Sequence, residues 1–334
     1  MNRRLAERLP RFLKEAGKRL VNRYLNIHRG GDKQDILILS SPRSGSTWLM
    51  ELLYAEPGMK YIYEPLGKKI LDYHDLLPID TRWYWITLTD EEKNILGQYF
   101  REDGKISHFG PRNFFSRFYN FRTDRRVIKI IRANSIIRWF AREFDFEIIY
   151  LIRHPLAQSL SSIKRGHSPC ANQFLENELF VHRFLNEELV DYANDVFEGG
   201  SKREKFVLEW CLDNLVPLKS SPETEEWLTV SYEELVLKTE AFIKLFCDEF
   251  ELETENKMLE MVRSPSKTSD SSDRQTRSKI RSGDDQYLIR KWRNDFTERE
   301  IEKLFEIVER FGITAYQPGQ LLPRSTFLHH DDTR

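Results

Sequence analysis

Residues 36–49 read Ile-Leu-Ile-Leu-Ser-Ser-Pro-Arg-Ser-Gly-Ser-Thr-Trp-Leu, and this stretch decides the fold. Its first four residues are all apolar, which is typical of a strand covered on both faces in a parallel sheet. A cluster of turn-forming residues follows, and Trp48, Leu49, Leu52 and Leu53 then recur at helical spacing. A strand that runs through such a turn into a helix points backbone N–H groups at one spot. The stretch therefore predicts a site for a phosphate or a sulfate group.

The turn differs from the Walker A loop of ATPases and kinases. A Walker A loop ends in Gly-Lys-Ser/Thr, with the lysine on the phosphates and the hydroxyl on Mg²⁺. Here the ending is Gly45-Ser46-Thr47, and the cation of the loop, Arg43, comes two residues before the glycine. The loop keeps one positive charge and the hydroxyls of Ser44, Ser46 and Thr47, but it lacks the usual clamp for ATP. A P-loop-type nucleotide or nucleoside kinase stays open as an alternative.

Strand patterns alternate with helical patterns along the rest of the chain, which predicts an α/β protein with a parallel sheet. We expect a P-loop-like, three-layer fold in which a central sheet of about five strands is flanked by helices. The strands are predicted at 36–40, 59–63, 126–131, 146–152 and 227–231, and the helices at 45–55, 90–100, 134–143, 155–165, 173–195, 202–218, 238–250 and 297–311. Ligands of such sheets bind beyond the carboxyl ends of the strands. Four charged residues lie at or near these ends and are expected to converge on one crevice: Arg43, Glu64, Lys129 and Arg153.

Two motifs resemble the sulfotransferases that use 3′-phosphoadenosine 5′-phosphosulfate (PAPS). The segment Pro42-Arg-Ser-Gly-Ser-Thr-Trp48 resembles their 5′-phosphosulfate loop, so the resemblance implies that residues 43–48 bind this end of the nucleotide. Trp48 would either stack on the adenine, as the family's tryptophan does, or fill the core. In the family, an arginine at the end of a later strand and a serine eight residues further on hold the 3′-phosphate. Arg153 and Ser161 match both the residue types and the spacing.

Three further segments match the family in the right order. Residues 227–235 resemble its strand and Tyr-Glu segment, in which the tyrosine, here Tyr232, lies near the adenine. Arg281, Ser282 and Gly283 resemble the basic loop that closes over the 3′-phosphate, which makes the polar stretch 264–273 a candidate lid. Residues 291–312 resemble the closing helix of many bacterial members. The resemblance implies PAPS as co-substrate, adenosine 3′,5′-bisphosphate (PAP) as product and no metal.

The resemblance also implies two catalytic cations. Sulfuryl transfer needs positive charge at the leaving oxygen and a base for the acceptor hydroxyl. Arg43 would be the first cation. Lys129 is the second candidate, since its distance along the chain from Arg153 resembles that of a transition-state lysine in cytosolic sulfotransferases. The alternative is an ordinary solvated or ion-paired lysine.

The base departs from the cytosolic pattern. Those enzymes carry a histidine two residues after the lysine, where this chain has Ile131. Glu64, followed by Pro65, is the best candidate, because several carbohydrate sulfotransferases place a Glu-Pro pair there. The alternative is that Glu64 merely pairs with Arg43 or Arg132, and the runners-up are His108 and His154. A PAPS-binding relative without catalysis stays open as well.

Two aromatic stretches with interleaved arginines, 82–85 and 109–122, bear on the acceptor. Flat rings stack on sugar faces and arginines hold carboxylates or sulfates, so we expect an acceptor hydroxyl on a saccharide. The same stretches could instead belong to the core. The absence of the histidine argues against the small phenols and steroids of the cytosolic branch, but it leaves a lipid or a peptide tyrosine open as the acceptor.

Composition agrees with a cytoplasmic enzyme. The 334 residues include 52 basic and 53 acidic side chains, a balance that argues against nucleic acid as a partner. Three widely spaced cysteines without a CxxC pair argue against a disulfide framework or a zinc site. No apolar stretch approaches the ~18 residues of a membrane span or forms a secretory signal. The expected organisation is a basic amphipathic helix with a hinge at 1–31, a sulfotransferase domain at 32–318 and a tail at 319–334. The helix would pack on its own domain or a partner chain, or lie peripherally on an anionic membrane.

Overall fold

A five-stranded parallel sheet forms the centre of the computed structural model, which describes residues 27–67, 71, 83–101, 121–220, 226–264 and 274–324. The strand order β3-β5-β2-β6-β7 confirms the predicted α/β class and the predicted strand number. A separate parallel pair, β1 with β4, lies beside it. The strands are β1 (Ile27–His28), β2 (Asp35–Ser40), β3 (Met59–Tyr63), β4 (Arg122–Thr123), β5 (Arg125–Ile131), β6 (Phe146–Ile152) and β7 (Leu228–Ser231).

Helices cover both faces of the sheet, as the all-apolar strands predict. In β2, Ile36 and Ile38 pack into one hydrophobic cluster, and Leu37 and Leu39 pack into the other. All four side chains are fully buried. The helices are α1 (Ser46–Leu53), α2 (Asp90–Arg101), α3 (Ile137–Glu143), α4 (Pro155–Lys164), α5 (Asn172–Leu175), α6 (Glu178–Phe184), α7 (Glu187–Gly199), α8 (Lys202–Ser220), α9 (Tyr232–Leu237), α10 (Thr239–Glu249), α11 (Glu255–Met261), α12 (Arg274–Ser282), α13 (Asp285–Arg290) and α14 (Glu298–Arg310).

Two helix predictions need correction. The single helix predicted at 173–195 is three helices, α5, α6 and α7, because two asparagines start new ones. The side chain of Asn177 accepts from the N–H of Phe180, and that of Asn186 accepts from the N–H of Leu189, which caps α6 and α7. The helix predicted at 134–143 begins as a 3₁₀ turn, Asn134–Ile136, before α3.

The terminal segments bear on the predicted domain boundaries. Most of the proposed N-terminal helix, residues 1–26, lies outside the described residues. Beyond α14, Ile313, Ala315 and Tyr316 are buried in the core. No helix in the described part of the chain is both long and apolar enough to cross a membrane.

Candidate active site

The crevice predicted at the carboxyl edge of the sheet is a cavity of about 720 Å³. It brings together most of the site residues predicted from the sequence. Those that line it are Arg43, Gly45, Ser46, Thr47, Trp48, Glu64, Lys129, Arg153, Ser161 and Tyr232. Ser44 is fully buried beneath the loop instead, and its hydroxyl has no hydrogen-bond partner.

The loop after β2 leaves the start of α1 open to an anion. Gly45 is the residue before the helix, with φ at 98°, and no side chain caps the helix. The first backbone N–H groups of a helix have no partner within the helix. Here no capping side chain occupies them either, and the residues that carry them line the cavity. This arrangement is the one that binds phosphate or sulfate.

Tyr232 explains why the loop needs a glycine at position 45. A Cβ atom on Gly45 would lie 2.4 Å from Cδ2 of Tyr232, the first residue of α9. The Tyr232 ring also carries the Arg153 guanidinium at 4.3 Å from its centroid and meets Trp48 edge-on at 6.4 Å. Tyr232 therefore joins the loop to Arg153, a contact that sequence reasoning did not foresee.

Arg43 connects the two nucleotide motifs. Its carbonyl oxygen accepts from Nη1 of Arg153 at 2.8 Å, and its own Nε donates to Oγ of Ser161 at 3.1 Å. Burial, followed by the charges of Arg153 and Arg165, lowers the pKa of Arg43 to about 10. The side chain thus stays charged at neutral pH among like charges, which an anion in the cavity would stabilise.

Lys129 and Glu64 meet on the other side of the loop. Nζ of Lys129 lies 2.6 Å from Oε1 of Glu64 and 4.0 Å from the centroid of the Tyr63 ring. Lys129 is only 2% exposed, whereas the Glu64 side chain is 27% exposed. The partner of Glu64 is therefore Lys129, not Arg43 or Arg132 as the alternative had it.

Backbone strain gathers at the same edge of the sheet. Four non-glycine residues in the described chain have positive φ, and three of them follow or end strands of the cavity: Arg43 at 69°, Glu64 at 49° and Arg132 at 63°. Such conformations are costly and concentrate at functional sites. The structure thus adds Arg132 to the residues singled out by sequence.

Arg281, Ser282 and Gly283 do not line the cavity. Arg281 and Ser282 end α12, and are not in a loop as predicted, because the helical pattern continues through both residues. The cavity is lined from α12 by Gln275, Thr276 and Ile280. Of the predicted lid, residues 265–273 lie outside the described residues.

His154, one of the two runners-up for the base, lies outside the lining of the cavity. It is fully buried, its Nδ1 accepts from the N–H of Leu156 at the start of α4, and its Nε2 therefore donates to the carbonyl of Gln320 at 3.2 Å. Its ring stacks on Trp292 with centroids 4.3 Å apart, and burial lowers its pKa to about 3. The other runner-up, His108, and the stretch 109–120 lie outside the described residues.

Sequence reasoning missed several lining residues. Among them are Tyr63, Arg132, Arg165, His167 and Lys291. The signal for Arg132 was available, because the residue directly follows β5, which ends at Ile131 at the carboxyl edge of the sheet. Arg165 follows Ser161 by one helical turn on the α4 pattern. In the described residues, no group of three or more His, Cys, Asp or Glu side chains is placed to hold a metal ion.

A family model, the sulfotransferase domain, matches residues 33–317. The chain belongs to the sulfotransferase family. The alternative of a P-loop-type kinase, which the loop sequence left open, is therefore rejected. None of the curated proteins compared with this sulfotransferase matches its sequence.

Solved structures of sulfotransferases show similarity at low identity. The mouse sulfotransferase SULT7A1, complexed with PAP, is 16% identical over 83% of this chain and 84% of its own, with a TM-score of 0.39. The sulfotransferase domain of the Synechococcus PCC 7002 olefin synthase is 19% identical over 86% and 98%, with a TM-score of 0.43. The sulfotransferase domain from the curacin biosynthetic pathway is 20% identical over 68% and 77%, with a TM-score of 0.36. These scores are low, so the family assignment rests on the domain match.

Proposed function

We propose that this sulfotransferase takes a sulfuryl group from PAPS and transfers it to a hydroxyl group of a saccharide. The observation that carries the donor assignment is the junction at Arg43, which hydrogen-bonds to both Arg153 and Ser161. Through this junction, the loop and the residues proposed for the 3′-phosphate face one cavity.

The lining residues fit the two charged ends of PAPS. The open start of α1 and Arg43 would hold the phosphosulfate, while Arg153 and Ser161 would hold the 3′-phosphate. Nε of Arg153 is buried without a partner in the described structure, as expected of a donor that awaits an anion. Trp48 and Tyr232 supply aromatic surface for the adenine. The cavity volume of about 720 Å³ lies within the usual range for ligand pockets, ~300–1,000 Å³.

The reaction needs charge stabilisation and one proton transfer. The bound nucleotide supplies the sulfuryl group, and the bond from sulfur to the 5′-phosphate oxygen breaks as the bond to the acceptor oxygen forms. Arg43 and Lys129 stabilise the negative charge left on the phosphate oxygen. Glu64 accepts the acceptor proton: Oε1 binds Lys129, and Oε2 makes no hydrogen bond in the described structure.

The saccharide assignment rests on the surface beside Glu64 and Lys129. Trp83 is 62% exposed, and the Arg132 guanidinium lies 5.5 Å from its ring centroid. An exposed ring next to an arginine of the cavity suits a sugar better than a small apolar acceptor, which would require an enclosed apolar pocket.

Calorimetric titration with PAP, run beside ADP with Mg²⁺, tests the donor. We expect micromolar binding of PAP and little response to ADP. Arg153→Ala should weaken PAP binding by about 2–4 kcal/mol, roughly 30-fold to 1,000-fold in Kd, because a buried phosphate loses its charged partner. Arg299→Ala, an exposed arginine on α14, is the matched control and should bind PAP like the wild type. Binding of ADP-Mg²⁺ without binding of PAP would overturn the proposed donor.

A further inference from the structure

The lining of the cavity carries more cationic side chains than carboxylates. Each of three lining carboxylates has its own cation: Glu64 pairs with Lys129, Asp285 with Arg263 at 2.9 Å, and Asp295 with Lys164 at 2.9 Å. Four lining arginines have no carboxylate within 4.0 Å in the described part of the chain: Arg43, Arg132, Arg153 and Arg165. If PAPS takes Arg43 and Arg153, as proposed above, Arg132 and Arg165 are left over.

The two remaining arginines line the same cavity as His167. Burial lowers the pKa of His167, and the charges of Arg132, Arg43 and Arg165 lower it further, in that order. Arg43, in the loop after β2, lines this cavity as well.

Arg132 is held in place by its backbone. Its N–H donates to the carbonyl of Ser40 at 3.3 Å, and its carbonyl accepts from the N–H of Trp85 at 2.7 Å. Together these bonds fix a left-handed residue between β2 and the segment that carries Trp83. The N–H of Trp83 in turn donates to Oε1 of Gln173 at 3.1 Å.

Two buried carboxyl groups, those of Glu209 and Asp213, interact electrostatically with Arg132, but neither forms an ion pair with it in the described residues. Glu209 accepts from the Tyr84 hydroxyl and from the N–H of Cys170, so its oxygens are already bound. Burial raises the pKa of Glu209, and raises that of Asp213 to about 7, so Asp213 is partly protonated at neutral pH. The Arg132 guanidinium is thus available to a ligand anion beside an exposed aromatic ring.

We propose that the acceptor is an acidic saccharide. Trp83 would pack on a sugar face, and Arg132, with Arg165 and His167, would bind a carboxylate or sulfate group of the same saccharide. This binding would bring a neighbouring hydroxyl to Glu64. The inference rests on the proposed function, since it assigns Arg43 and Arg153 to PAPS.

The test is a calorimetric titration of the protein saturated with PAP, at an ionic strength near 0.15 M so that non-specific attraction is screened. The probes are a glucuronate-containing hexasaccharide and the same hexasaccharide with each carboxylate reduced to a hydroxymethyl group. We expect the acidic form to bind at least ~10-fold more tightly. Arg132→Gln should abolish this preference, whereas Arg299→Gln, which removes the same charge from α14, should preserve it.

Three outcomes would overturn the inference: no binding of the acidic hexasaccharide, equal binding of both forms, or an unchanged preference in Arg132→Gln. Titration of each variant with PAP separates this failure from failure of the proposed function. If the wild type binds PAP but shows no preference for the acidic sugar, only the acceptor inference is wrong. Arg132→Gln should still bind PAP within about threefold of the wild type, which also shows that the variant is folded.

Discussion

The conformation of Glu64 is fixed by its contacts with Lys129 on the adjacent strand. Its left-handed backbone is held because its N–H donates to the carbonyl of Lys129 at 2.8 Å, while its carboxylate pairs with the Lys129 side chain. The same two residues are thus joined twice, through backbone and side chain. Such a double contact fixes where the carboxylate points, which a general base requires.

Replacing Glu64 by Gln tests its proposed role as base. Gln keeps the size and can still accept from Lys129, but it cannot take a proton at neutral pH. We expect kcat for transfer of labelled sulfate from PAPS to fall by roughly 10²–10⁴-fold, with PAP affinity nearly unchanged. Glu302→Gln, on the exposed face of α14, is the control and should keep its activity. Wild-type turnover by Glu64→Gln would show that another group accepts the proton. The ion pair between Glu64 and Lys129 would then have only a structural role.

Among the elements, the loop after β2 is shaped by a helix that comes much later in the chain. The ring at the start of α9 fills the space where a side chain at position 45 would lie. Position 45 therefore requires glycine for two reasons: its φ is positive, and there is no space for a Cβ atom. Arg153 also joins the loop to α9, because its guanidinium lies over the Tyr232 ring and its Nη1 donates to the carbonyl of Arg43.

Gly45→Ala should damage the site through this contact. We expect a loss of unfolding free energy of about 1–3 kcal/mol from the strained backbone and the clash with Tyr232, and PAP binding at least ~10-fold weaker. The matched control is Gly199→Ala at the end of α7, where an added Cβ meets nothing within 4 Å. That change should be neutral or slightly stabilising. Urea unfolding and PAP titration measure both effects, and equal behaviour of the two variants would contradict the role of Tyr232.

Across the molecule, His154 joins the carboxyl edge of the sheet to the segment that follows α14. The residue follows Arg153, caps α4, stacks on Trp292 and binds the carbonyl of Gln320. Its N–H also donates to Oε1 of Glu233 on α9 at 3.1 Å. A neutral imidazole at this point is part of the packing, so protonation must oppose folding.

The pH dependence follows from this burial. Burial lowers the pKa of His154 from its ordinary value of 6.5 to about 3 in the folded state. The unfolded chain therefore binds more protons between these two values, and stability falls as the pH falls through that window. At pH 5 the loss from this residue is about 2 kcal/mol relative to pH 7. His154→Asn keeps a capping side chain and does not titrate. Although less stable at pH 7, it should lose about 2 kcal/mol less than the wild type on acidification, measured by urea unfolding at both pH values. Equal losses would place His154 in contact with solvent. Buried acids such as Glu233, whose pKa burial raises, act in the opposite direction in both proteins.

The sequence predicted the sheet well and the side-chain contacts poorly. Every main-sheet strand lies within one residue of its predicted bounds, because a buried apolar stretch has a sharp beginning and end. The convergence of Arg43, Lys129 and Arg153 also followed from the rule for parallel sheets. The pairing of Glu64 with Lys129 did not, since strand order decides which ends are neighbours. The same holds for Tyr232 on Gly45, a contact between positions 187 residues apart that no local pattern encodes.

The contacts made by residues 319–324 have a practical consequence for the design of shortened versions of this protein. The family match stops at residue 317, a natural place to put a stop codon. Cutting there would remove the acceptor of His154 and the carbonyl of Gly319 that binds Arg293, together with the bond from the N–H of Arg324 to Ala315. A buried ring donor without an acceptor costs about 1–3 kcal/mol, and the ring in question adjoins Arg153. Expression boundaries for crystallisation should therefore be set beyond residue 324. Low stability or low activity of a chain cut at residue 317 would reflect the loss of these contacts.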